Sequence, residues 1–138
     1  MTEFIQKDRR WLLMLPVGLA AIVLAIALRA VTQRQAAGAA PEEITLVAKD
    51  VAFRLADHPN EPNPSLQLKR GRAVKLIIRN DEPGKVLHCF TIGGLDVGTS
   101  RDLATGESEA LTFTPRETGT FAYACLMHPG MGGKIVVQ

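Results

Sequence analysis

Two cysteines, Cys89 and Cys125, and three histidines, His58, His88 and His128, are all the 138 residues hold of either type. Two cysteines exclude a disulfide-stapled miniprotein, and three imidazoles are too few for a trinuclear metal centre. Charge of one sign is scarce as well: 16 Lys and Arg stand against 14 Asp and Glu, a formal +2. The excess sits in residues 1–40, where Lys7, Arg9, Arg10, Arg29 and Arg34 face Glu3 and Asp8, while residues 41–138 carry 11 basic and 12 acidic groups. A folded part so close to neutral excludes a nucleic-acid binder, which needs clustered basic residues there. There is no internal repeat and no glycine-rich phosphate loop ahead of a helix. Asp96, Asp102 and the other carboxylates form no catalytic pair. No small-molecule substrate is implied, and the expectation is that the chain is not an enzyme.

What is present begins with one long apolar run. Trp11–Leu28 (WLLMLPVGLAAIVLAIAL) is eighteen residues without a charge. As a helix it would span about 27 Å, enough for a hydrocarbon core of about 30 Å once its ends snorkel. Arg9 and Arg10 bound it on one side, Arg29 and Arg34 on the other, and Trp11 suits a membrane interface. The competing reading is a cleaved signal peptide, with Ala37-Gly38-Ala39 as the cleavage site. That site lies far beyond the apolar run and after two arginines, so an uncleaved anchor is the expectation. Either reading places the remainder outside the cytoplasm. The expected organisation is a signal anchor over residues 1–29, a small and polar linker over 30–43, and one folded domain over 44–138.

The folded part reads as β throughout. Val74, Leu76 and Ile78 share one face; so do Val86, His88, Phe90 and Ile92, and again Phe121, Tyr123 and Cys125. Further strands are expected within Ile44–Arg54, Ser65–Leu68 and Lys134–Val137. Turn-forming clusters separate them, among them His58–Pro64 with three prolines and Pro129–Gly133. About eight short strands in this length predict an antiparallel Greek-key β-sandwich or barrel.

The chemistry lies in one loop. Cys125, His128 and Met131 form the pattern C-x2-H-x2-M directly after a predicted strand. The strand delivers Cys125 toward the interior, and Pro129, Gly130, Gly132 and Gly133 let the chain fold back so that His128 and Met131 approach it. His88 alternates with apolar residues, an odd place for an imidazole unless something binds it. Two imidazoles, a thiolate and a thioether make a soft, copper-preferring set, the trigonal His2Cys plane with a long axial Met of electron-transfer copper sites. Zinc is disfavoured because a thioether is a poor ligand for it. Met127, two residues from Cys125, is expected to point elsewhere, and His58 is expected in solvent. A Cys89–Cys125 disulfide would consume the thiolate and leave His88, His128 and Met131 without purpose, so Cys89 is read as a small buried apolar residue.

From Ile44 to Val137 the sequence resembles the cupredoxin family of type 1 blue copper proteins. The likeness rests on Leu66–Asn80 (LQLKRGRAVKLIIRN), Leu87-His88, Thr105–Phe113 (TGESEALTF), Gly119–Cys125 (GTFAYAC) and the short ligand loop. The resemblance implies His88, Cys125 and His128 as equatorial ligands and Met131 as the axial ligand of one copper ion. Many members carry Asn after the first His, tying the two ligand loops together; here the position is Cys89, expected to turn away from the metal. The implied function is single-electron transfer to or from a respiratory or photosynthetic redox protein. An anchored chain would meet a membrane-bound partner, with the copper domain on the periplasmic side of the cell membrane. The rival is an exported copper carrier or sensor, which would show exchangeable Cu(I) and often runs of Met or His that are missing here.

Overall fold

Strand alternation in β4 (Val74–Asn80) sets the frame: Val74, Leu76, Ile78 and Asn80 are buried while Lys75, Ile77 and Arg79 lie toward solvent. The computed structural model describes residues 40–138 together with Ile22, Ala25 and Ile26, which are helical. The rest of the expected membrane span and most of the expected linker lie outside the described residues. Among the described residues, no helix is long and apolar enough to cross a membrane.

Residues 40–138 carry nine strands, where about eight were expected. Besides β4 they are β1 (Glu42–Lys49), β2 (Ala52–Leu55), β3 (Leu66–Leu68), β5 (Thr91–Ile92), β6 (Val97–Gly98), β7 (Ser108–Phe113), β8 (Gly119–Ala124) and β9 (Gly132–Val137). β1 begins two residues ahead of the boundary read from the sequence. One sheet runs β2-β1-β4-β7 and the other β3-β9-β8-β5-β6. Leu46, Phe53, Leu76 and Ile78 of the first sheet and Ile92, Tyr123, Ile135 and Val137 of the second are buried in one apolar cluster. Burying each such side chain contributes about 1.5–3 kcal/mol.

Two expectations need correction. The sheets are mixed, not purely antiparallel, because β1 pairs with β4 and β3 with β9 in parallel. Alternation reports which face of a strand is buried and carries no information about the direction of its neighbour. The segment Val86–Ile92 is also not one continuous strand. It makes an isolated bridge between His88 and Leu103 and then the two residues of β5. Its alternation survives all the same: His88, Phe90 and Ile92 are buried and Leu87 is exposed.

The turn joining β1 to β2 has only two residues, Asp50 and Val51, with φ of 53° and 54°. A two-residue hairpin favours φ > 0 at both positions because the turn then twists with its strands. A β-branched valine there is strained. The Val51 N–H donates to Glu82 Oε2 at 2.9 Å, so a carboxylate from the far side of β4 holds the turn in place.

Candidate metal centre

Two chain segments deliver the ligand groups to one end of the sandwich, above a set of aromatic rings. Phe90 and Tyr123 stack with centroids 5.5 Å apart, and Phe53 packs edge-on against them at 5.4 and 5.8 Å. His88 precedes Phe90 by two residues and Cys125 follows Tyr123 by two, so strand parity points both toward the same interior. The Tyr123 hydroxyl donates to the Pro64 carbonyl at 2.7 Å, and burial pushes its pKa up. The platform beneath the ligands is therefore both packed and hydrogen-bonded.

After β8 the chain closes the ligand loop on itself. Cys125 N–H donates to the Met131 carbonyl at 2.9 Å, and Met131 N–H donates to the His128 carbonyl at 3.1 Å. Gly130 takes the turn with φ of 85°. Gly133 must be glycine for a different reason: a Cβ there would stand 2.6 Å from the Tyr123 hydroxyl and 2.7 Å from the Asn63 carbonyl. Asn63 pins this loop from outside, donating from Nδ2 to the Gly130 carbonyl at 3.3 Å while its Oδ1 accepts from Phe53 N–H at 3.1 Å.

His88 Nδ1, Cys125 Sγ and His128 Nδ1 converge. The sulfur lies 3.9 Å from His88 Nδ1 and 3.5 Å from His128 Nδ1, and all three ligand atoms lie within 4.8 Å of one another. Nitrogen and sulfur ligands set about 2.0–2.3 Å from a metal in a trigonal plane stand about 3.5–3.8 Å apart, so the two sulfur-to-nitrogen distances fit such a centre. The soft composition of the set fits copper. Met131 is 1% exposed at the end of the loop, whereas Met127 is 38% exposed. His58, in the proline-rich loop, is exposed and beside Asp57. The structure thus brings together His88, Cys125 and His128, buries Met131 on the same short loop, and leaves His58 and Met127 toward solvent.

Burial is the main reason that the His88 pKa is lowered, with a smaller contribution from the neighbouring His128 and an opposing one from Glu82. A neutral imidazole is the form that binds a metal. His88 Nε2 is fully buried with no hydrogen-bond partner among the described residues, and Glu82 Oε2, itself nearly buried, lies 3.5 Å from it. Were Nδ1 to hold a metal, Nε2 would carry the proton, and the Glu82 carboxylate lies beside it as the nearest acceptor. Replacing that carboxylate, Glu82→Gln, removes a negative charge one imidazole ring beyond the atom that would hold a metal. At an effective dielectric constant of about 20–40 this is about 1–2.5 kcal/mol, or on the order of 50–100 mV for one electron. The higher oxidation state loses more, so the reduction potential should rise; protein-film voltammetry showing a fall would contradict the assignment.

Asn80 organises the segment that carries Glu82. Its Nδ2 donates to the carbonyls of Val86 and Leu103, both at 2.8 Å, and its Oδ1 accepts from Glu82 N–H at 2.9 Å. Sequence reasoning missed Asn80, Glu82 and Asn63. The nearest hint was a polar residue at an inward position of an otherwise apolar strand. Asn80→Ala would strand buried carbonyls and an N–H at a cost of about 1–3 kcal/mol each where no water replaces the side chain. We expect a loss of about 3 kcal/mol in urea denaturation, with the largest amide-exchange increase between Asp81 and His88.

Cys89 departs from expectation. Its side chain does not turn away from the site: Sγ lies 3.8 Å from Cys125 Sγ and accepts the Leu126 N–H at 3.2 Å, while its own N–H donates to Cys125 Sγ at 3.4 Å. It is only partly buried. Alternation still leaves it less buried than His88 and Phe90, but does not carry its sulfur away from Cys125. Its thiol pKa is raised, chiefly by burial.

A β-sandwich that brings two imidazoles and a cysteine sulfur together, with a buried methionine on the same loop, fits the class of proteins that hold a single copper ion. A cupredoxin-like domain model matches residues 19–137. Amicyanin of Paracoccus denitrificans is 36% identical over 75 residues, 54% of this chain and 56% of that protein, so the match spans little more than half of the relative. Among solved structures, auracyanin B superposes with a TM-score of 0.57 at 22% identity, covering 73% of this chain and 92% of that one. Rusticyanin from Thiobacillus ferrooxidans superposes at 0.56 with 22% identity, covering 72% and 79%. The chain belongs to the cupredoxin-like family. Its His88, Cys125 and His128 form a ligand group whose soft composition fits one copper ion.

Proposed function

We propose that this chain is a membrane-tethered electron carrier that exchanges single electrons with a redox protein, itself membrane-bound, on the extracytoplasmic side of the cell membrane. The observation that carries the reading is the convergence of His88, Cys125 and His128 within 4.8 Å at one end of the sandwich. A bound copper ion supplies the one-electron Cu(II)/Cu(I) couple. The protein's part is to hold its ligands still. His88 is fully buried beside Glu82, Cys125 is tied to Met131 through the backbone, and Gly130 is pinned by Asn63. Rigid ligands keep the geometry nearly constant between oxidation states, so little reorganisation opposes transfer.

His128 is the more exposed of the two imidazoles, and Leu126 (77% exposed), Met127 (38%) and Leu87 (44%) lie on neighbouring stretches of the same two segments. An apolar rim of this kind suits brief docking, since small interfaces release quickly. Support for the tether is the uncharged run Trp11–Leu28 between pairs of arginines.

Two measurements test the reading. The oxidised, copper-loaded full-length chain should show an intense thiolate-to-copper band in the visible spectrum and the EPR signal of a single copper. A colourless protein that releases Cu(I) readily would instead indicate a copper carrier. In its native host, the mature protein should begin near Met1 and stay with membranes through carbonate extraction. A mature N-terminus near Ala40 would overturn the tether and leave the copper assignment standing.

A further inference from the structure

Cys89 and Cys125 are the chain's only cysteines, and both are free. Their sulfurs lie 3.8 Å apart, and each accepts a backbone N–H from the other's segment: Cys89 Sγ from Leu126 at 3.2 Å, Cys125 Sγ from Cys89 at 3.4 Å. These reciprocal bonds hold both sulfurs in the narrow space between the two ligand segments. Closing them to a disulfide length of about 2.05 Å takes a movement of about 1.8 Å. Cys89 Sγ is not among the ligand atoms that converge within 4.8 Å, so it neighbours Cys125 from outside the His88–Cys125–His128 set.

We propose that Cys89 is a resolving thiol which, in the copper-free protein, forms a disulfide with Cys125 and so closes the metal site. The inference rests on Cys125 being the ligand thiolate. The disulfide and the copper centre, exclusive alternatives when only sequence is considered, become two states of one site. The oxidant is a disulfide, either a small molecule such as oxidised glutathione or a dithiol oxidase. Cys89, partly exposed, attacks one sulfur of the external disulfide, forming a mixed disulfide and releasing one thiol. Cys125 then attacks Cys89 Sγ, forming the Cys89–Cys125 bond and releasing the second thiol. Two electrons pass from the protein to the external disulfide, and the two thiol protons leave on the two released thiols. Were Cys125 to hold copper, its sulfur would be unavailable for the second step.

The test uses the copper-free, full-length chain in detergent, treated with excess oxidised glutathione. We expect free thiols to fall from two to none, and the mass to fall by about 2 Da with no glutathione retained. Trypsin should then release residues 86–101 linked to residues 117–134. Copper uptake should vanish and return in full on reduction, while copper-loaded protein treated in the same way keeps its metal and forms no linked peptide. In Cys89→Ser the internal link cannot form, so the same treatment should give no linked peptide and no loss of about 2 Da, only an unchanged mass or an adduct of about 305 Da on Cys125. A stable adduct of about 305 Da on Cys89 with Cys125 still free would overturn the proposal. So would linkage only between two chains, two unreacted thiols, or equally fast linking in the loaded protein. If reduced protein binds no blue copper yet still links, the electron-transfer reading falls and the disulfide stands.

Discussion

Cys125→Ser should abolish the visible band completely and lower copper affinity by at least about a hundredfold, while Cys89→Ser keeps the band. The reasoning starts from the distances. Cys125 Sγ is the atom common to both short contacts, 3.5 Å from His128 Nδ1 and 3.9 Å from His88 Nδ1. A metal seated among the three draws its anionic ligand and its charge-transfer partner from this sulfur. A hydroxyl supplies neither, because it remains protonated near neutral pH and lacks the soft, polarisable lone pairs that suit copper. Losing one strong ligand of three is worth roughly 3 kcal/mol or more, hence the hundredfold. Misfolding is a weak alternative, since the hydroxyl is smaller than the thiol and sits among imidazoles and backbone N–H groups; thermal unfolding of the copper-free variant checks it. Cys89 stands outside the converging set, so Cys89→Ser removes an acceptor for Leu126 N–H and leaves the ligand plane intact. Bleaching by Cys89→Ser, or a surviving band in Cys125→Ser, would reverse the assignment.

The structure brings together three of the residues proposed as ligands, His88, Cys125 and His128, and all four proposals came from a local pattern. Cys125, His128 and Met131 lie within seven residues of one loop, and His88 sits at an inward position of an alternating segment, where an imidazole is costly unless it is used. Apolar alternation exposed the strands for the same reason. What escaped depends on contacts distant in sequence. Asn63 meets Gly130 across 67 positions, and Glu82 meets Val51 across 31. The Glu82 contact follows from the parallel pairing of β1 with β4, which brings the β1–β2 turn to the end of β4, and nothing in a one-dimensional pattern sets it or the Asn63 contact. A continuous strand from Val86 to Ile92 was also expected. The Asn80 side chain takes the Val86 carbonyl, and only the bridge to Leu103 and the short β5 remain. Cys89 was misjudged for a different reason. What places Cys89 beside Cys125 is the meeting of two segments 36 positions apart, with the Leu126 N–H donating to the Cys89 sulfur.

Met131→Gln should lower the reduction potential by on the order of 100–200 mV, with Met127→Gln changing it several-fold less. Met131 closes the ligand loop, its carbonyl accepting from Cys125 and its N–H donating to His128, and its side chain is 1% exposed. A thioether is a weak, soft ligand and leaves Cu(I) comparatively favoured; an amide oxygen is harder and favours Cu(II). A preference of about 2–5 kcal/mol between oxidation states corresponds to the stated shift for a single electron. Gln is close to Met in length and flexibility, so the loop closure through backbone groups survives the exchange. Met127, 38% exposed, presents its thioether toward solvent and serves as the control. The comparison also separates two causes of a shift. If the change came only from a more polar surface, the exposed position would respond at least as strongly as the buried one. Equal shifts, or a larger one at Met127, would remove Met131 from the axial position and leave the three converging ligands to account for the site.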